Sequence, residues 1–195
     1  MASPSDKTIL QELKTQAWIL GGLIGLLWGI QLINAELFNG RLAHYGIRPR
    51  QLNGLQGILW APLLHGSASH LLANTIPLLT LGWLIMLQET EDFLTVTIIT
   101  AFVSGLGTWL VGASTSIHIG ASGIVFGYFG YLLLRGYFER SATSIALSFM
   151  VIMLYGGLIW GVLPTQQGIS WEGHLFGFIG GGLAARLLAK RRSPR

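Results

Sequence analysis

Long apolar runs alternate with short polar breaks along this chain, and the runs have membrane-spanning length. A hydrocarbon layer of roughly 30 Å takes about 20 helical residues. The first run, residues 17–37, supplies that number, with Trp18 and Trp28 among leucines and isoleucines. Others follow at 70–87 (interrupted by Pro77), 93–111, 121 to 134 or 137, 142–162 and 173–189. The breaks are an acidic turn at Gln88–Asp92, a charged turn around Arg135, Glu139 and Arg140, and a polar cap at 164–171. The pattern predicts an all-α membrane protein, a bundle of six transmembrane helices over residues 17–189. Residues 1–16 form a short polar segment, amphipathic or frayed, and 190–195 a basic tail.

Two connections do not read as ordinary loops. Between Phe38 and Ser69, Arg41, Arg48 and Arg50 alternate with Leu42, Tyr45, Ile47, Leu52, Leu55, Ile58, Leu59 and Trp60. Half-apolar basic stretches of this kind lie in the membrane interface, so a long, partly embedded first loop of short surface helices is expected. Residues 112–119 are too few for a domain and are expected to dip back into the protein.

Composition agrees with this picture. Of 195 residues 51% are hydrophobic, 10% are charged and 27 are glycine, which is too little charge to solvate a globular surface. The net charge of +4 gathers at the C-terminus, so no nucleic-acid-binding face is expected. Cysteine is absent, which excludes disulfides and thiolate chemistry. The start lacks a basic region before a short apolar one, so the first run is expected to stay as a signal anchor. Six spans put both termini on one side. With them cytoplasmic, that side holds Lys7, Lys14, Arg135, Arg140, Arg186, Lys190, Arg191, Arg192 and Arg195, against Arg41, Arg48 and Arg50 opposite. The positive-inside rule therefore favours cytoplasmic termini, and the heads of the second, fourth and sixth runs lie toward the outer leaflet.

Those three heads carry the candidate chemistry. Gly120-Ala121-Ser122-Gly123 opens the fourth run with a hydroxyl between glycines. Taken alone this is a helix-packing motif; with partners it is a nucleophile at a helix N-terminus. The second run opens with His65, His70 and Asn74, the last two sharing a helical face. The sixth opens with His174 inside a small-residue ridge of Gly173, Gly177 and Gly181. A second ridge, Gly123, Gly127 and Gly130, would meet it and bring His174 toward Ser122. A serine activated by an imidazole, with His70, Asn74 and the Ser122 N–H as donors to an oxyanion, is suited to acyl transfer. Glu172, two residues before His174, points to another helical face, so a dyad rather than a triad is expected. His118 reads as a hydrogen-bonding loop residue. The histidines lack metal-ligand spacing, and neither a metal nor a cofactor is expected.

The array His65-x4-His70-x3-Asn74, Gly120-x-Ser122-Gly123 and Gly173-His174-x2-Gly177 resembles the rhomboid family of intramembrane serine proteases, across most of the chain and in family order. The resemblance implies a rhomboid-like bundle in its minimal six-span form and a water-accessible Ser–His dyad that cleaves transmembrane protein substrates in the lipid bilayer. It implies Ser122 as nucleophile, His174 as general base and acid, and His70, Asn74 and the Ser122 N–H as the oxyanion site. His65, Gly120, Gly123 and Phe126 stand in support. It further implies a multi-pass protein, of a bacterial plasma membrane, with its active site open to the extracytoplasmic side. Two departures stand out. The Trp-Arg pair of many members is missing from the first loop. Phe126 replaces the frequent tyrosine, able to stack on His174 but without a hydroxyl. The alternative is a catalytically silent relative that binds membrane clients. A small transporter would call for inverted-repeat halves, and the sequence has none. The fifth run, with Phe149, Met150, Leu154 and Trp160, is the expected lateral entrance facing the second.

Overall fold

The computed structural model describes residues 4–165 and 168–192, with side chains over 8–165 and 168–189. The first three residues, Gln166 and Gln167 of the expected polar cap, and tail residues 193–195 lie outside it. Seven α-helices appear among the described residues: α1 Pro4–Glu36, α2 Gly57–Trp60, α3 Ala68–Met86, α4 Thr90–Val111, α5 Ser122–Glu139, α6 Ala142–Tyr155 and α7 Trp171–Arg192. Short 3₁₀ turns join them, and α6 runs on into one at Gly156–Val162.

Among the described residues four segments are long and apolar enough to cross a bilayer: Thr8–Glu36, Ala68–Met86, Thr90–Val111 and Ala142–Val162. The fourth and sixth sequence-predicted spans, α5 and α7, are not among them, and for α5 its position explains why. Every residue of α5 from Val125 to Leu132 is buried, so this stretch faces protein all round. A helix covered by other helices can carry glycines, tyrosines and a buried arginine that a lipid-facing helix cannot. Peripheral α1 and α6, by contrast, present Trp18, Leu26, Phe149 and Met153 outward.

Glycine is what allows α5 and α7 to pack backbone to backbone. A Cβ at Gly177 would run into the Gly123 carbonyl, one at Gly181 into the Gly127 carbonyl, and one at Gly130 into that of Phe178. The two ridges expected from the sequence therefore face each other. Gly127 also gives room to the Thr100 side chain of α4, and Gly123 to Ser104.

Several elements depart from the reading of the sequence. Residues 4–16 continue into α1 without a break; Gln16 anchors them by donating from Nε2 to the Met86 carbonyl and the Thr90 hydroxyl, each at 3.0 Å. Pro77 does not interrupt α3. It only withholds one amide from the carbonyl four residues back. The charged turn holds a buried cluster: Arg135, 3% exposed, pairs with Asp92 of α4 at 3.5 Å and with Glu139 at 2.8 Å. The Tyr131 hydroxyl donates to Asp92 at 2.8 Å. Pairing is what makes an arginine tolerable there, since an isolated buried charge is far costlier.

The first loop is ordered and docked. Gly54 packs on Arg48, Gly57 on the Gly46–Ile47 backbone, and Ile58 on Gly105 of α4. The Arg50 N–H donates to the Trp109 carbonyl at 3.0 Å, and the Trp109 indole to the Gln51 carbonyl at 2.9 Å. Its outer face leaves Leu52 83% exposed.

Gly177→Ala and Gly181→Ala should each cost about 1–3 kcal/mol through overpacking. Gly25→Ala on α1, where nothing lies within 4 Å, should be neutral or mildly stabilising. Thermal unfolding of the full chain in detergent distinguishes the two classes; equal losses at all three would refute backbone-to-backbone packing of α5 and α7.

Candidate active site

Ser122 is the first residue of α5, and three separate contacts set its approach. The His118 N–H donates to the Ile47 carbonyl, and the Ile47 N–H returns a bond to the His118 carbonyl, both at 2.9 Å. The Gly120 N–H donates to the Ala61 carbonyl at 2.8 Å, and the Ala121 N–H to His65 Nε2 at 3.2 Å. Gly120 turns the chain at φ +117°, with its open side 2.8 Å from a His70 ring carbon in any residue bearing a Cβ. Both facts call for glycine there.

His174 sits in the first turn of α7. That turn is held by Ser104 of α4, whose hydroxyl donates to the Gly173 carbonyl at 2.8 Å. The His174 imidazole is bound on both edges and one face. Nε2 is 2.9 Å from Ser122 Oγ, and Nδ1 is 2.9 Å from the Gly161 carbonyl. A carbonyl only accepts, so Nδ1 carries the proton and Nε2 is left to accept from the serine hydroxyl. The Phe126 ring stacks on the imidazole at 4.0 Å between centroids and 6° between planes. Gly161 is pressed against this stack: a Cβ there would lie 2.6 Å from the Phe126 ring and 3.3 Å from Nδ1.

Ser122, His174, His70 and Asn74 all line one cavity of about 740 Å³. Asn74 donates one amide hydrogen to the His70 carbonyl at 3.1 Å, and the ring of His70 packs edge-on against His65. Ser67 caps α3 by accepting the His70 N–H at 3.1 Å, which fixes where both side chains emerge. Pro77 and Ala73 line the same cavity. The set can act as nucleophile, base and convergent donors around one small volume.

His65 stands behind this surface, 1% exposed. Burial, together with the neighbouring His70, lowers its pKa from 6.5 to about 4, which matches its use as an acceptor for the Ala121 N–H. Glu172, which helical spacing turns away from His174, nonetheless lines the cavity and is 6% exposed. The sequence left the third group of the triad unfilled, and the Gly161 carbonyl now occupies that position. Nothing in a sequence marks one carbonyl among many; only the glycine at 161 hints at crowding. Gly123, counted in support of the site and in the second glycine ridge, makes room for Ser104, and a Cβ there would lie 3.3 Å from the Gly173 carbonyl. Among the described residues no group of three or more potential ligands could hold a metal.

Comparison with known proteins places this geometry in context. The family profile described as the Rhomboid domain matches residues 53–191. An uncharacterised protein of Mycobacterium tuberculosis is 41% identical over 192 residues, covering 92% of this chain and 80% of its own. A protein of Bacillus subtilis named as a candidate rhomboid protease, YdcA, is 31% identical over 137 residues, 68% of this chain and 67% of its own. RHOMBOID-like protein 5 of Arabidopsis thaliana is 30% identical over 128 residues, 60% of this chain and 39% of its own.

The folded pKa of His65, about 4, lies below its ordinary 6.5. Stability from neutral His65 is therefore complete above pH 6.5 and is lost as pH falls from there through about 4. The thermal midpoint of the full chain should decline over that range. His65→Gln, which keeps an acceptor but cannot titrate, should flatten the decline; an equally steep fall in the variant would assign it to other groups.

Proposed function

The chain belongs to the rhomboid family, and from that membership we propose that it is an intramembrane serine endopeptidase cleaving transmembrane protein substrates within or beside their spans. The observation that carries the reading is the 2.9 Å hydrogen bond between Ser122 Oγ and His174 Nε2, with the opposite ring nitrogen tied to the Gly161 carbonyl. Ser122 attacks the scissile carbonyl carbon as its proton passes to Nε2. The oxyanion is met by the Ser122 N–H at the start of α5, the free amide hydrogen of Asn74 and the ring of His70. Imidazolium His174 then protonates the leaving amine, and water, activated by the same nitrogen, releases the acyl group. The Gly161 carbonyl does the orienting that a carboxylate performs elsewhere, and stacked Phe126 keeps the ring from tilting.

In the same reading the membrane domain is 17–189. Its six spans are α1, α3, α4, α5, α6 with its 3₁₀ extension, and α7; the first loop lies in the outer interface. Both termini face the cytoplasm of a bacterial cell, and the cavity opens on the extracytoplasmic side. Substrate enters from the bilayer between α3 and α6, whose contact includes the Thr80 and Tyr155 hydroxyls. The exposed apolar face of α6, with Phe149 and Leu154, meets lipid along that path.

Ser122→Ala and His174→Ala should each lower cleavage of a reporter transmembrane protein in liposomes by at least ~10³-fold, the usual cost of losing either half of such a pair. A fluorophosphonate probe should label wild-type protein on Ser122. Undiminished cleavage by either folded variant would overturn the assignment.

A further inference from the structure

A second serine–histidine hydrogen bond lies beside the first, with the residue types exchanged. His118, four residues before Ser122, has Nδ1 2.7 Å from the hydroxyl of Ser170, four residues before His174. The two bonds are successive rungs between the same two segments, one joining 122 to 174 and the other 118 to 170.

The donors along this rung can be traced. The Ser116 hydroxyl donates to the Ala113 carbonyl at 2.7 Å, which leaves its oxygen to accept from His118 Nε2, also at 2.7 Å. Nδ1 of a neutral His118 is then an acceptor, and the Ser170 hydroxyl donates to it. Ser170 in turn caps α7: its oxygen accepts the Gly173 N–H at 3.4 Å, and its carbonyl accepts the His174 N–H at 3.2 Å. Burial holds the His118 imidazole below its ordinary pKa, while the Glu172 carboxylate pulls it partly back. The arrangement does not suit a second nucleophile, because the Ser170 oxygen is already engaged in the cap.

We propose that His118 is a positioning residue, tying the loop that carries Ser122 to the cap of the helix that carries His174 and so setting the separation of the two. The proposal rests on the protease reading. Ser122 and His174 belong to different elements, and their mutual hydrogen bond must loosen during each turnover as the proton moves. The His118–Ser170 rung borders the same cavity, but its side chains bond to neither the Ser122 hydroxyl nor the His174 ring, so it holds the two elements in register while that bond is remade. The main chain of His118, paired with Ile47, gives the rung a fixed base in the first loop.

The test uses the full chain in proteoliposomes with a reporter transmembrane substrate. His118→Ala and Ser170→Ala should each lower kcat by about 10- to 100-fold, the scale of a sub-ångström to ångström misplacement, with KM little changed. The double variant should be no worse than either single one. His118→Asn, which offers an acceptor where Nδ1 lies, should recover most of the loss. His118→Gln, whose amide reaches the Nε2 position toward Ser116, should not. Losses that multiply in the double variant, equal rescue by asparagine and glutamine, or His118→Ala turning over at the wild-type rate would overturn the proposal alone. Wild-type protein no more active than Ser122→Ala would overturn the protease reading and this proposal with it.

Discussion

Contact between the backbones of α5 and α7 is the constraint on which the rest depends. Ser122 opens one helix and His174 sits in the first turn of the other, so the 2.9 Å side-chain hydrogen bond depends on how closely, and in what register, the two helices approach. Gly177 over the Gly123 carbonyl and Gly181 over that of Gly127 supply that closeness. In a membrane there is no hydrophobic drive to bring helices together; close packing and interhelical hydrogen bonds do so. Here one feature serves both ends, since the ridge that stabilises the pair also aligns Ser122 with His174.

With α5 at the centre, α7, α4, α6 and α3 pack around it. α4 closes one side, with Ser104 and Thr100 filling the hollows at Gly123 and Gly127. α3 brings His70 and Asn74 to the cavity, and the first loop holds the approach to Ser122 from behind through Ile47, Ala61 and His65. At the other end of α5, Asp92, Tyr131, Arg135 and Glu139 satisfy one another. Polar groups removed from water must find partners within the protein. This accounts for the many serine and threonine hydroxyls bonded to main-chain carbonyls, and for a histidine oriented by a carbonyl instead of a carboxylate. A carbonyl brings no net charge to be desolvated.

Ser122, His174, His70 and Asn74 were legible because each is a polar side chain out of place at the head of an apolar run, and the glycine ridges because their spacing of four is a helical repeat. The face-to-face stack of Phe126 on His174 follows from the same spacing, since Phe126 lies one turn after Ser122. The continuation of α1 through residues 4–16 was not legible, because polar composition resembles a frayed end until Gln16 is seen bonded to α3 and α4. Nor was the burial of Arg135: its partner Asp92 lies in a different helix, and a charge beside Glu139 reads as an ordinary turn.

The sequence by itself determined the helical class, the apolar runs and the chemical identity of the candidate site, all of which are written in side chains and their local periodicity. Tertiary structure alone decided that Gly161 lends its carbonyl to His174, that Ala121 donates to His65, and that His118 bridges to Ser170. The physical reason is the same in each case. Every residue but proline carries the same main-chain donor and acceptor, so which of them meets a side chain depends on where distant segments come to rest. In this molecule the glycine contacts between α5 and α7 set part of that arrangement, and the docking of the first loop and of the turn holding Gly161 sets the rest.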